Sequence, residues 1–218
     1  MWGIVMKQAK FLVMEGCDGS GKTTVSQAVY KRLKEEGVDI IYTREPGGID
    51  ISEQIRAVIL DPKNTAMNNR TEALLYAAGR RQHLVEKILP AMEKGQGVLC
   101  DRFVFSSLAY QGYARGIGME EVMKINEFAL EGVEPGHTIC LDIPAEVGLE
   151  RINRNRSYLD RLDQEGLDFH NRVFQGYQEV LKKYGKDTKV IDANRPAEDV
   201  IEDVYKYLVE ECGVCAKR

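Results

Sequence analysis

No stretch of this sequence stays apolar over the ~20 residues that a membrane-spanning helix requires, so no transmembrane segment is expected. The opening residues, MWGIVMKQAK, have no long apolar core and no small-residue cleavage pattern, and no secretory leader is expected from them. Five cysteines, an odd number scattered through 218 residues, do not make a disulfide framework. Cys17, Cys100 and Cys140 stand in apolar or strand-like contexts and read as small core residues. Cys212 and Cys215 form one CxxC, but there is no second CxxC or CxxH half-site, and a structural zinc needs about four ligands. Positive charge is not in excess. The formal net charge of −4 argues against a general nucleic-acid binder, though it leaves room for a local phosphate pocket. Internal repeats, low-complexity tracts and long linkers are also missing. What remains is a chain suited to a reducing cytoplasm, 44% hydrophobic and 29% charged, with enough apolar material for one domain over residues 1–218.

What is present is a rhythm. Five short apolar runs, Phe11–Glu15, Val38–Tyr42, Gly97–Cys100, His137–Leu141 and Thr188–Ile191, alternate with segments of helical period. Among the helices, Ser52 is expected to cap one carrying Ile55, Val58 and Ile59. Thr71 to about Leu89 reads as a longer one ending near Pro90. Met119–Leu130 is expected to set Val122, Ile125 and Phe128 on one face, and Pro196–Glu211 closes the chain. Strands apolar on both faces imply a parallel sheet covered by helices. The fold expected is therefore α/β, a three-layer α/β/α sandwich with a five-stranded parallel sheet, and the GxxxxGKT loop Gly16–Thr23 after the first run makes it one of the P-loop NTPase kind. Ligands then sit at the carboxyl ends of the strands.

The strongest motif stands at such an end. Gly16-Cys17-Asp18-Gly19-Ser20-Gly21-Lys22-Thr23 matches GxxxxGK[ST], follows a predicted strand and opens a predicted helix. Its glycines let successive N–H groups curl around phosphate oxygens, and the helix N-terminus adds partial positive charge. Lys22 can reach the β- and γ-phosphates of a nucleoside triphosphate, and the Thr23 hydroxyl can bind Mg²⁺. Asp18 is out of place in such a loop, because an acid repels phosphate. It therefore points to a second task, holding an acceptor hydroxyl or an arginine that contacts the acceptor.

The third apolar run ends in Asp101-Arg102. Asp101 is placed to bind Mg²⁺ directly or through water, and Arg102 to grip a phosphoryl group with two N–H groups. Arg151, Arg154, Arg156 and Arg161 crowd into eleven residues after the fourth run. A run of charge is usually a solvated helix face. Here Lys22 is the only base in the phosphate loop, so a short mobile lid over about residues 151–163, closing guanidinium groups onto the transferring phosphate, is the sharper expectation.

Taken together, FLVMEGCDGSGKTT (Phe11–Thr24), TREPGG (Thr43–Gly48), RTEALLYAAGRRQHL (Arg70–Leu84), LCDRFVFSSLAYQGYARGIG (Leu99–Gly118) and RLDQE (Arg161–Glu165) resemble the thymidylate kinase family, bacterial type, over nearly the whole chain. The resemblance implies MgATP as phosphoryl donor, dTMP as acceptor and a homodimer, with no nucleic-acid or membrane partner. It implies donor contacts from Gly16 through Thr24 and from Arg151 and Arg195. Lys22, Asp18, Arg102, Arg154 and Arg156 are the catalytic group it implies, and Thr23 and Asp101 the metal pair. For the acceptor it implies Asp18 and Glu45 near the sugar, Arg56 and Arg102 on the phosphate, and Tyr76 stacked on the base. Arg80, Ser107 and Gln111 would meet its polar edge, with Tyr110 against the 2′ position. Phe103 stands where many relatives carry tyrosine, which puts a hydrogen bond there in doubt. Two other readings stay open at this stage. One is a P-loop kinase with another acceptor, such as UMP, CMP or a deoxynucleoside. The other is a nucleotide switch, although no NKxD guanine motif follows any predicted strand.

Overall fold

The computed structural model describes residues 11–155, 161–162 and 164–216. Its frame is one five-stranded sheet: β1 (Phe11–Gly16), β2 (Ile40–Arg44), β3 (Gly97–Asp101), β4 (His137–Asp142) and β5 (Thr188–Asp192), in the order β2-β3-β1-β4-β5. All four pairings are parallel, with Leu12 opposite Leu99 on one side and His137 on the other. Parallel neighbours need crossovers, and helices supply them on both faces. Apolar strands are the result: Leu12, Leu99, Ile139 and Leu141 are each 0% exposed. Burying one such side chain contributes about 1.5–3 kcal/mol. β5, at an edge, is less covered, and Val190 is 48% exposed there.

The helices are α1 (Lys22–Glu35), α2 (Asp50–Leu60), α3 (Asn69–His83), α4 (Leu89–Glu93), α5 (Val104–Ser107), α6 (Met119–Leu130), α7 (Ala145–Asn155), α8 (Leu167–Tyr184) and α9 (Ala197–Lys206). Three of them continue or begin through π-helical turns, at Leu84–Ile88, Leu108–Ala114 and Tyr207–Glu211. Three expectations are corrected here. Ser52 does not cap α2; the helix starts at Asp50 after an extended Ile49, and the fully buried Ser52 hydroxyl donates to the Gly79 carbonyl. Pro90 does not end the long helix. The π turn at Leu84–Ile88 resets the hydrogen-bond ladder, so Pro90 falls in the first turn of α4, where its missing N–H costs nothing. Phe128 does not share the buried face of α6; it is 90% exposed, whereas Val122, Asn126, Ala129 and Leu130 face inward. Residues 104–114 are helical throughout.

The chain reverses direction across the sheet at β1: one half winds out through β3 and β2, the other through β4 and β5. The carboxyl end of β1 therefore opens on a crevice between the two halves. The loop after β1 occupies it.

Candidate active site

That loop is shaped by its glycines. Gly16, Gly19 and Gly21 all have positive φ, at 139°, 75° and 85°. A methyl group on Gly19 would lie 2.1 Å from the Gly148 carbonyl oxygen, so the loop packs backbone to backbone on α7. Gly21 precedes α1 without any side-chain cap, and no acidic residue occupies the first turn of that helix. The helix's leading N–H groups and the positive end of its dipole are thus directed at whatever anion enters.

Gly19 to Thr24 line one end of a cavity of about 650 Å³. Gly16 and Cys17 do not line it; their carbonyls serve the neighbouring cations. Lys22 Nζ donates to Cys17 O at 2.7 Å and to Ser20 Oγ at 3.3 Å. Burial first, then the Arg102 charge, bring the Lys22 ammonium down from 10.5 to about 8. Thr23 Oγ1 donates to Asp101 Oδ2 at 2.6 Å, and the Tyr42 hydroxyl approaches the same oxygen at 3.3 Å. Arg151 and Arg195 stand at the far donor end with Ala193. Arg151 donates to the carbonyls of Gly19 and Ala193, and Arg195 pairs with Asp203 at 2.5 Å.

Asp18 joins this end to the other. Its Oδ1 accepts from Arg102 Nη2 at 2.5 Å and its Oδ2 from the Tyr110 hydroxyl at 2.6 Å. Arg102 sits at φ 72°, unusual for a residue with a side chain, and a strained backbone of this kind costs about 1–3 kcal/mol. Further bonds over-determine the position: Nη1 reaches Gly16 O, Ser106 Oγ and the Tyr177 hydroxyl at 2.9–3.1 Å. Behind them lies Glu15, fully buried at the end of β1. Its carboxylate accepts from the Phe103 and Ser106 amides, from Ser106 Oγ and from Tyr177, and so caps α5. Burial drives the Tyr110 hydroxyl well above its ordinary value, which keeps it a neutral donor to Asp18.

The second end is built from α2, α3 and the segment after β3. Arg80 donates from Nε to Glu45 Oε2 at 2.7 Å, from Nη1 to Ser107 Oγ at 3.1 Å and to Asn126 Oδ1, and from Nη2 to Phe103 O at 2.9 Å. Glu45 also meets His83 Nδ1 at 3.0 Å, and His83 Nε2 meets Thr43 Oγ1 at 2.6 Å. Burial alone would raise the Glu45 carboxyl; Arg80 and His83 outweigh it and hold the group below the ordinary carboxylate value. Arg56 reaches the Pro46 carbonyl, and Arg44 bonds both Pro46 O and Glu53, closing the TREPGG turn. Tyr76, Ser107, Tyr110 and Gln111 line the same end. Phe103 is buried edge-on against Phe11, with ring centroids 5.1 Å apart.

The arginine cluster after β4 divides. Arg151 lines the cavity. Arg154 does not; it is exposed and pairs with Glu150 one turn back. Arg156 lies outside the described residues. Arg161 is no lid arm. It is 8% exposed, with Nε donating to Ile59 O at 2.7 Å and Nη2 to Glu72 Oε2 at 2.5 Å, which anchors this stretch to α2 and α3. Sequence reasoning missed Glu15, Arg44, Glu72, His83, Ser106, Asn126 and Tyr177. Five of these, Glu15, Arg44, Glu72, His83 and Ser106, fall within the motifs already singled out, where a polar or charged residue inside a motif was the available signal; Asn126 and Tyr177 lie outside them. The CxxC cysteines Cys212 and Cys215 are not joined in a disulfide.

The sequence profile of the thymidylate kinase family matches residues 14–204. A thymidylate kinase from Clostridium novyi (strain NT) is 55% identical over 204 residues, covering 93% of this chain and 100% of that protein. One from Halalkalibacterium halodurans is 52% identical over 210 residues, 96% of this chain and 100% of the other. One from Geobacillus thermodenitrificans (strain NG80-2) is 55% identical over 194 residues, 88% and 86% of the two chains.

Proposed function

The chain belongs to the thymidylate kinase family, and from that membership and the two-ended cavity we infer that it transfers the γ-phosphate of ATP to dTMP, giving dTDP and ADP. The observation that carries this reading is the bonded set Asp18–Arg102–Tyr110. An acid inside a phosphate loop is tied to an arginine and a tyrosine that face the opposite end of the same cavity.

In this reading ATP lays its phosphates on Gly19–Thr24 and its adenine along the Asn194-Arg195-Pro196 turn, beside Arg151. dTMP enters the other end, its base stacked on Tyr76 and its edge toward Arg80, Ser107 and Gln111. Arg56 and Arg102 hold its phosphate, Asp18 and Glu45 order the sugar and the cations around it, and Tyr110 crowds the 2′ carbon. A phosphate dianion is already nucleophilic, so Asp18 acts as a holder and not as a base. Lys22 exchanges the Cys17 carbonyl for the β- and γ-phosphate oxygens, and Arg102 fixes the acceptor in line with them. Thr23 and Asp101 present two hard oxygens 2.6 Å apart at the loop's end, a donor set that fits Mg²⁺ and would hold it there. Once bound, the ion would neutralise charge across the β- and γ-phosphates. Arg161 is anchored, so the lid arginines left in this reading are Arg151, Arg154 and Arg156; Arg154, exposed here, would swing inward on closure.

We assign the whole chain to one kinase domain that works as a homodimer in the cytoplasm. Support for the dimer comes from Leu74 (55% exposed), Val85 (38%) and Phe128 (90%), large apolar residues on or just beyond the mutually packed helices α3 and α6. No helix among the described residues is long and apolar enough to cross a membrane. The test of the reaction is a coupled assay with MgATP and a panel of nucleoside monophosphates. Turnover should be highest with dTMP, and absence of dTMP turnover overturns the reading.

A further inference from the structure

Gln111 offers the acceptor end of the cavity an amide whose two ends have opposite polarity: Nε2 donates and Oε1 accepts. Which end faces a ligand is decided by Glu72. Glu72 is 1% exposed and does not line the cavity. Its Oε2 accepts from Arg161 at 2.5 Å and lies 3.4 Å from Arg115 Nη2. Its Oε1 takes Gln111 Nε2 at 2.8 Å. A carboxylate between two guanidinium groups can only accept hydrogen bonds, so the Gln111 nitrogen must turn toward it. The oxygen then points the other way, and among the described residues no donor bonds it.

Arg80 supplies the complementary polarity. Of the five N–H groups of an arginine, Glu45 takes the one on Nε, Ser107 and Asn126 take both on Nη1, and Phe103 O takes one on Nη2. One N–H on Nη2 is left.

We propose that Glu72 is a positioning residue that sets the hydrogen-bond polarity read at the acceptor base. It locks Gln111 so that Oε1 accepts from a ring N–H, while the spare Arg80 N–H donates to the neighbouring carbonyl. The proposal rests on the thymidylate reading above. A thymine or uracil edge presents that carbonyl and N–H. A cytosine edge presents the reverse, an amine and a bare ring nitrogen, and meets like polarity at both contacts.

The test compares dUMP and dCMP, which share sugar and phosphate and differ only along this edge, with dTMP as the activity reference. Two mismatched hydrogen bonds at roughly tenfold each predict that the native protein prefers dUMP by roughly a hundredfold in kcat/KM. In Glu72→Gln the new amide can donate as well as accept, Gln111 can turn over, and the preference should narrow roughly tenfold while the KM for ATP stays put. Glu72→Asp keeps the charge for Arg115 and Arg161 but withdraws the oxygen from Gln111, and serves if Glu72→Gln does not fold; it too should narrow the ratio. A purely structural Glu72 would lower both acceptors alike, and an unchanged ratio overturns the proposal. So does a native protein that uses dCMP as readily as dUMP, whichever variants fold. Absence of dTMP turnover by the native protein would instead overturn the underlying function, so the two failures are separable.

Discussion

Replacing Lys22 by methionine should make the ligand-free protein more stable while removing its ability to use ATP. Lys22 is 5% exposed, and its ammonium hydrogen-bonds two neutral acceptors, Cys17 O and Ser20 Oγ. Burial and the neighbouring Arg102 charge lower its ammonium from 10.5 to about 8, against the pull of Asp18 and Asp101. That displacement corresponds to roughly 3 kcal/mol held against the folded state when the group is charged. The sign follows from the direction of the shift. A lysine whose folded value lies below its unfolded one carries the full penalty below about pH 8, and the penalty fades as pH rises toward 10.5. Methionine fills nearly the same volume with no charge and gives up two hydrogen bonds of about 1 kcal/mol each. The net gain at pH 7 should thus be about 1–2 kcal/mol, read by urea denaturation of ligand-free protein, shrinking or reversing by pH 10.5. Saturating ATP should stabilise the native protein and leave the variant unmoved, and turnover should fall by orders of magnitude. A variant less stable at pH 7, or a difference that does not change with pH, refutes the account of a charge kept at a cost for the sake of phosphate.

Further outcomes follow from the same geometry. Arg56→Ala should raise the KM for dTMP roughly tenfold or more, the loss of one charge-assisted contact, with the KM for ATP nearly unchanged; unaltered acceptor kinetics would remove Arg56 from the site. Asp18→Asn cannot accept from both Arg102 and Tyr110 on carboxylate oxygens, so kcat/KM for dTMP should drop about 10- to 100-fold, and Tyr110→Phe should add little on top of it in a double-mutant cycle. Full additivity of the two would separate them. Phe128→Glu should convert a dimer to a monomer at micromolar concentration in sedimentation velocity, and a dimer that survives the change locates the interface elsewhere.

The backbone course of Gly16–Thr23 was legible because its geometry is local: three glycines, a strand before and a helix after determine where eight residues' backbone goes. The five strands were legible for a related reason, since burial on both faces writes a continuous apolar run into each one. Helix ends were less so. Pro90 looks like a stop until a π turn shifts the ladder by one residue, and Ser52 looks like a cap until the Gly79 carbonyl claims its hydroxyl. What holds the functional side chains in place was invisible, because it is assembled across long separations. Glu15 caps a helix 88 residues away, His83 braces Glu45 across 38, and Glu72 orients Gln111 across 39. The arginines after β4 show the division clearly. Four similar side chains in eleven residues read as one lid. Only the packing against α2 and α3 made Arg161 a buried anchor, because a guanidinium loses its water solely where fixed carbonyls and a carboxylate stand ready to replace it. Which chemistry the chain can do was therefore written in short motifs of its own sequence. Which atom of each motif faces the substrate was decided by distant residues that the sheet and its helices bring into hydrogen-bonding range.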